Sequence, residues 1–258
     1  MSSEGALIRF DVRDEIAFIT LDNPPVNIMT AAMMDQISAA LGEVRADSSL
    51  KGVAVGAGGK AFCAGADVGE HRPEQVEAMI ASFSEMFRAF DRLELPVVMA
   101  VDGAALGGGF ELVQMADILL ATELSVFGQP EIRLGFFAPV GVVELAALVG
   151  RAKAMEITTT GRNYSAAEMA DCGIVTRVVA DAAALDEALG GVLKDLRRAS
   201  PLVLRLNCRT LKRLRGRPFA EALGEAERVF LKELMVSEEP GEGIAAFYEK
   251  RKPVWKNR

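Results

Sequence analysis

Two short apolar runs constrain the fold more than any other feature of the chain. Residues 52–57 (GVAVGA) and 96–101 (PVVMAV) each lead into a glycine-rich loop and then into a helical pattern. A strand buried on both faces reads as an unbroken apolar run, and such strands belong to parallel sheets covered by helices. Strand, loop and helix in that order return the chain to a neighbouring parallel strand. The unit occurs twice, over residues 52–93 and 96–116, so the fold class is α/β. The length of 258 residues is near the upper limit for a single core.

The other elements follow from periodicity. Residues 6–12 and 16–21 read as strands around a turn at 13–15, and Pro24-Pro25 halts the second because proline offers no ladder N–H. Thr30 is a candidate N-cap for a helix to about Arg45, with Met33, Met34, Ile37, Leu41 and Val44 at helical spacing. Residues 73–93 read as an amphipathic helix. Residues 102–109 read as a loop opening a helix at 110–115, and 117–121 and 125–127 resume strand character. Beyond Val140 the chain is mostly helical, with helices at 140–149, 152–159 and 163–171, a strand at 174–179, and helices at 185–198, 201–214, 218–235 and 241–250. A soft boundary near 199–201 divides a core, 1–199, from a helical region, 200–258.

Composition narrows the function. Acidic residues outnumber basic ones, 36 to 29, which disfavours general nucleic-acid binding. The three cysteines, Cys63, Cys172 and Cys208, lie far apart and suggest neither a disulfide framework nor a zinc site. The single histidine, His71, excludes a histidine-rich metal centre, and its polar loop reads as non-catalytic. No GxSxG elbow accompanies it. The N-terminus has early charges and no apolar run of signal length, and no window reaches a membrane span, so the expectation is a cytoplasmic protein with no membrane partner.

Chemistry concentrates at two glycine-rich loops, 64–67 and 107–109. Helix N-termini leave N–H groups without intrahelical partners, and glycine lets a ligand approach them. Two such donors converging on one point would stabilise an oxyanion. Alternatively, the glycines only permit tight turns. Glu111 lies in the first turn after the second loop, where it either complements the helix dipole or acts chemically. Glu131 follows Phe127-Gly128-Gln129-Pro130 in an apolar neighbourhood. Carboxylates there are costly unless paired or used, and two in different environments could divide acid and base work.

In order and spacing, Leu21-Asp22-Asn23-Pro24-Pro25, the 60–68 segment KAFCAGADV, the 103–112 segment GAALGGGFEL and the 127–132 segment FGQPEI resemble the crotonase superfamily of enoyl-CoA hydratases and isomerases. The resemblance covers nearly the whole chain. It implies a crotonase-like spiral of ββα units with a helical C-terminal region that builds trimers or dimers of trimers. It implies an oxyanion hole from the Ala66 and Gly108 N–H groups, and a coenzyme A path along Ala64, Asp67 and Val68. Glu111 and Glu131 occupy the two carboxylate positions of the hydratases. Glu111 is expected to activate water and Glu131 to deliver a proton to carbon. No metal and no separate cofactor is expected, since coenzyme A is part of the substrate.

The departures are informative. Where the hydratases tend to have a glycine-rich stretch, this chain reads Gly135-Phe136-Phe137-Ala138-Pro139-Val140-Gly141. Pro139 has no N–H, so a donor near the water is expected to be missing. Phe136 and Phe137 either wall an acyl pocket or pack in the core. The Pro-Pro-Val-Asn and Phe-Phe-Ala-Pro segments resemble the branch containing the cyclohexa-1,5-diene-1-carbonyl-CoA hydratases of anaerobic aromatic degradation. An isomerase and a noncatalytic acyl-CoA-binding protein are the alternatives. The tail, 250–258, carries five cations and no anion, and either stays solvated or reaches a neighbouring subunit's coenzyme A.

Overall fold

The computed structural model describes residues 5–258, so the first four residues of the expected core lie outside the described residues. Six strands form one sheet: β1 (Ile8–Arg13), β2 (Ile16–Leu21), β3 (Gly52–Ala57), β4 (Val97–Val101), β6 (Ile118–Thr122) and β9 (Arg177–Val179), in that spatial order. The β1–β2 pair is antiparallel and the rest are parallel. Alternation decides which residue faces which layer. Val53 and Val55, Val97 and Met99, and Leu119 and Ala121 face the larger core with α1 (Ala31–Ala46) and α2 (Val76–Asp91). Ala54, Val98 and Leu120 face the other way, onto Leu185, Ala188 and Leu193 of α6 (Ala182–Arg198). Both faces are covered, which accounts for the unbroken apolar runs.

A second sheet lies at the ends of these strands. It contains β5 (Ala104–Leu106), β7 (Val126–Gly128) and β8 (Asn163–Ser165). Two sequence expectations change here. The segment read as a loop over 102–109 contains β5, because Cys63 and Val126 offer it partners that are distant in sequence. The stretch read as a helix from residue 163 starts as β8, and α5 (Ala166–Asp171) begins only after Ser165 and Glu168 form a capping box. The helix read at 110–115 is α3 (Gly108–Val113), so Gly108 is its first residue. The two helices expected at 140–149 and 152–159 are both present within α4 (Pro139–Thr160), separated at Gly150, whose backbone is not helical (φ 77°).

The helical region comprises α7 (Pro201–Leu214), α8 (Phe219–Val229), a π turn at Phe230–Leu234 and α9 (Glu239–Glu249). The tail beyond it is not solvated free chain. Trp255 Nε1 donates to Arg198 O at 2.8 Å, and Asn257 Nδ2 donates to Ser48 O at 2.9 Å. The Lys256 and Asn257 N–H groups both donate to Oε1 of buried Glu239, at 2.9 and 2.6 Å. Arg251 pairs with Glu242 and Arg258 with Glu238, which offsets the repulsion expected within the tail.

Close packing of α3 against the 63–66 strip sets the geometry that follows. A Cβ added at Gly109 would lie 2.3 Å from Cys63 O, and that oxygen already accepts from Leu106 N at 2.9 Å. Neither backbone has room to retreat. Gly109→Ala is therefore expected to destabilise the fold by about 3 kcal/mol, the upper range for overpacking. Urea unfolding measures this, and a wild-type midpoint would contradict the packing described.

Candidate active site

Backbone pairing places two N–H groups side by side. Met29 N donates to Gly65 O at 2.9 Å and Asp67 N to Met29 O at 3.1 Å, which fixes the strip on one side. Cys63 N donates to Ala104 O at 3.0 Å, which fixes it on the other. Ala66, between these bonds, has an N–H that donates to no acceptor among the described residues. Gly108 is the first residue of α3, so its N–H has no intrahelical acceptor. The two amides adjoin, since a Cβ at Gly108 would lie only 3.2 Å from Ala66 N.

A cavity of about 330 Å³ opens over these amides. Ala64, Ala66, Val68, Gly108, Glu111, Glu131, Phe136 and Phe137 all line it, so the structure brings together eight of the nine residues singled out in the sequence. The ninth, Asp67, instead caps the short 3-10 turn Val68–His71, its Oδ1 accepting from Gly69 N at 2.6 Å. The two readings of the paired phenylalanines are separated by exposure. Phe136 and Phe137 are 39% and 65% exposed and line the cavity, so neither belongs to the core. The far wall is apolar, with Val76, Met79, Ile80 and Phe83 of α2.

The carboxyl groups sit in different surroundings. Glu111 is 2% exposed, and its Oε1 accepts from Val140 N at 2.7 Å and Gly141 N at 3.1 Å. The expected missing donor is thus supplied. Pro139 starts α4, where its absent N–H costs nothing, and the next two N–H groups of that helix reach the carboxyl. Burial still dominates and pushes the Glu111 carboxyl up to about 8, the two backbone donors opposing it. Glu131 belongs to the 3-10 turn Pro130–Leu134. Its carboxyl lies over Gly107, where an added Cβ would meet Oε1 at 2.6 Å, and φ at that glycine is 55°. Its Oε2 is buried and has no partner. Burial pushes the Glu131 carboxyl above its ordinary range, opposed first by a backbone hydrogen bond within its own residue and then by the nearby His71.

Two residues stand closer to the site than the sequence indicated. Asn27 is fully buried at φ 54°, and its Nδ2 donates to Gly58 O at 2.6 Å and Ala61 O at 2.9 Å. It ties the Pro-Pro turn to the loop that carries the oxyanion strip, and an asparagine right after a proline turn was its only signal. His71, read as non-catalytic, lines the cavity. Cys63 is buried and its thiol is pushed up to about 11 by desolvation, so it packs and does not act as a nucleophile. Among the described residues no group of three or more His, Cys, Asp and Glu side chains could hold a metal ion.

Comparisons with known proteins agree with this geometry. A model of the enoyl-CoA hydratase/isomerase family matches residues 11–258. A "Probable enoyl-CoA hydratase" of Rhizobium meliloti is 36% identical over 261 residues, covering 100% of both chains. A "Cyclohexa-1,5-dienecarbonyl-CoA hydratase" of Thauera aromatica is 34% identical, covering 100% of this chain and 96% of that one. The crystal structure of an enoyl-CoA hydratase from Mycobacterium smegmatis superposes with a TM-score of 0.89 at 31% identity, covering 97% of this chain and 99% of that one.

The raised Glu111 carboxyl links stability to pH. Its folded value near 8 exceeds the ordinary 4.5, so the folded state keeps a proton that the unfolded state releases. Wild-type stability should therefore fall as pH rises from about 4.5 to about 8. Glu111→Gln has no such proton to lose. Urea unfolding of both proteins across that window should show wild type losing a few kcal/mol relative to the variant. A difference that stays flat with pH would contradict the assignment.

Proposed function

The chain belongs to the enoyl-CoA hydratase/isomerase family, and we propose that it is a carbon–oxygen lyase adding water to a conjugated coenzyme A thioester, with cyclohexa-1,5-diene-1-carbonyl-CoA as substrate. One observation carries the hydratase reading: two carboxyl groups share a cavity with two adjoining backbone N–H groups that have no acceptor among the described residues. The 34% identity to the Thauera aromatica protein supports the substrate, as do Phe136 and Phe137 walling an apolar cavity suited to a flat ring.

The chemistry follows from where charge develops. The thioester carbonyl oxygen takes the Ala66 and Gly108 N–H groups, with the coenzyme A arm running along Ala64 and Val68, which line the cavity. Conjugation carries negative charge onto that oxygen as water attacks. Donors already in place stabilise it, and one such donor is worth about 3 kcal/mol. Glu111 takes the proton from water and Glu131 gives one to carbon. A base near neutrality suits this task. Burial favours the proton on Glu111, so the step in which Glu111 acts as base draws on its minor, ionised form. No metal ion is needed for any of these steps.

The helical region supports assembly. Leu211, Phe219, Val236, Phe247 and Tyr248 are all exposed large side chains of this region. We assign these residues to the subunit contacts of a trimer or a dimer of trimers, formed by the region 200–258 beside the core 1–199. Among the described residues no helix is long and apolar enough to cross a membrane, and the proposed location is the cytoplasm.

Glu111→Gln and Glu131→Gln should each lower kcat/KM by about 10²–10⁴ while leaving thioester binding intact. Full activity in both would remove the acid–base pair from the mechanism. In labelled water the product should gain solvent oxygen, whereas an isomerase of the same fold would leave the oxygen count unchanged. Across a panel of linear and alicyclic enoyl-CoAs, the cyclic dienoyl thioester should have the highest kcat/KM. A crotonyl-CoA value far above it would reject this substrate and keep the hydratase.

A further inference from the structure

We propose that His71 is a positioning residue of this pocket: its ring, tethered to Asp67 and braced on Phe136, holds the 131–136 segment and presents to Glu131 the only lining side chain able to carry positive charge. The proposal rests on the hydratase reading for what Glu131 does, though not for where His71 sits.

The tether is local. His71 Nδ1 lies 2.8 Å from Asp67 O, and as an N–H it donates to that carbonyl. The ring then packs on Phe136, with centroids 5.0 Å apart and planes at 48°. Phe136 N in turn donates to Glu131 O at 3.1 Å, so the braced ring and the carboxyl belong to one short hydrogen-bonded turn. The imidazole therefore joins the oxyanion strip, through Asp67, to the acid, through Phe136.

Charge points the same way. On its own turn the acidic neighbours of His71 are already engaged: Asp67 Oδ1 accepts from Gly69 N at 2.6 Å, and Glu70 Oε2 accepts from Ala31 N at 2.8 Å. Arg72 follows on the same turn. The α2 residues lining the cavity, Val76, Met79, Ile80 and Phe83, carry no charge. Across the cavity stand Glu111, whose Oε1 is held by two backbone donors, and Glu131, whose buried Oε2 has no partner. Glu131 is thus the carboxylate left for an imidazolium to act on. A cation there favours the ionised carboxylate, and its removal favours the acid.

Two kinds of measurement test this. The first needs no reaction. His71 is the only histidine in the chain, so its ring signals in an NMR spectrum are unambiguous. Phe136→Leu removes the ring current and Glu131→Gln the carboxylate, and each should move those signals in the otherwise intact protein. Signals unmoved by both changes would overturn the proposal whatever the protein catalyses. The second uses two replacements with opposite virtues. His71→Phe keeps a ring against Phe136 and loses the charge. His71→Asn keeps a donor for Asp67 O and loses ring and charge. Both should move the Glu131 limb of the kcat/KM profile to higher pH, by on the order of half a unit. Only His71→Asn should also raise KM, by about tenfold, or 1.4 kcal/mol. Wild-type profiles in both variants, with turnover intact, would reduce His71 to a packing role and leave the hydratase reading standing. Absence of turnover in wild type with every thioester would sink that reading while the NMR result still decided the contacts.

Discussion

A carboxyl group taken out of water without a counter-ion must bind a proton or find donors, and Glu111 does both in part. Its side chain is almost fully buried, and its oxygen meets two backbone N–H groups of α4. Desolvation and hydrogen bonding pull in opposite directions, and desolvation prevails. Everything around the cavity serves this balance. The apolar wall from α2 keeps the dielectric low, and the start of α4 keeps the cost bearable. Glu131 adds a second charge whose presence raises Glu111 further.

The scaffold supplies position through backbone and not through side chains. The central parallel strands deliver their loops to one end of the sheet, where binding crevices in open α/β sheets form. The 63–67 strip is pinned by Met29 on one side and by β5 on the other, so the Ala66 N–H is left over by construction. Gly109, the second residue of α3, lets the helix lie against Cys63 O because it carries no Cβ. The amide geometry is consequently a property of sheet register and helix packing, elements that move little. A site built this way needs no side-chain rearrangement to meet charge on a carbonyl oxygen.

Much of this was legible in the sequence because its causes are local. Unbroken apolar runs announced β3 and β4, and Thr30 does cap α1, its side chain accepting from Met33 N. The motif residues converge on one cavity as their order suggested. What stayed hidden depended on partners far along the chain. β5 and β8 are three-residue strands whose sequence signal is weak and whose pairing is everything. The donors to Glu111 come from residues 29 and 30 positions away. Asn27 binds backbone more than thirty positions away, and His71 meets the Phe136 ring from a distant segment, and nothing in their flanking residues distinguishes such a role from an ordinary polar turn. The tail misled for a related reason, since its cations were visible while Glu239, which gathers its N–H groups, carries no mark of burial in sequence.

The proline at position 139 shows how a change in motif can keep the chemistry. A proline at the head of a helix removes an N–H that the helix cannot use internally, fixes φ near the helical value, and so orders the next two N–H groups. Those two converge on Glu111 Oε1 with the positive end of the α4 dipole behind them. Without them, burial alone would drive the carboxyl still higher. With a stronger cradle it would ionise early and become a poor base. The helix start therefore opposes burial and brings the carboxyl back toward the range in which a carboxylate can form and act as a base.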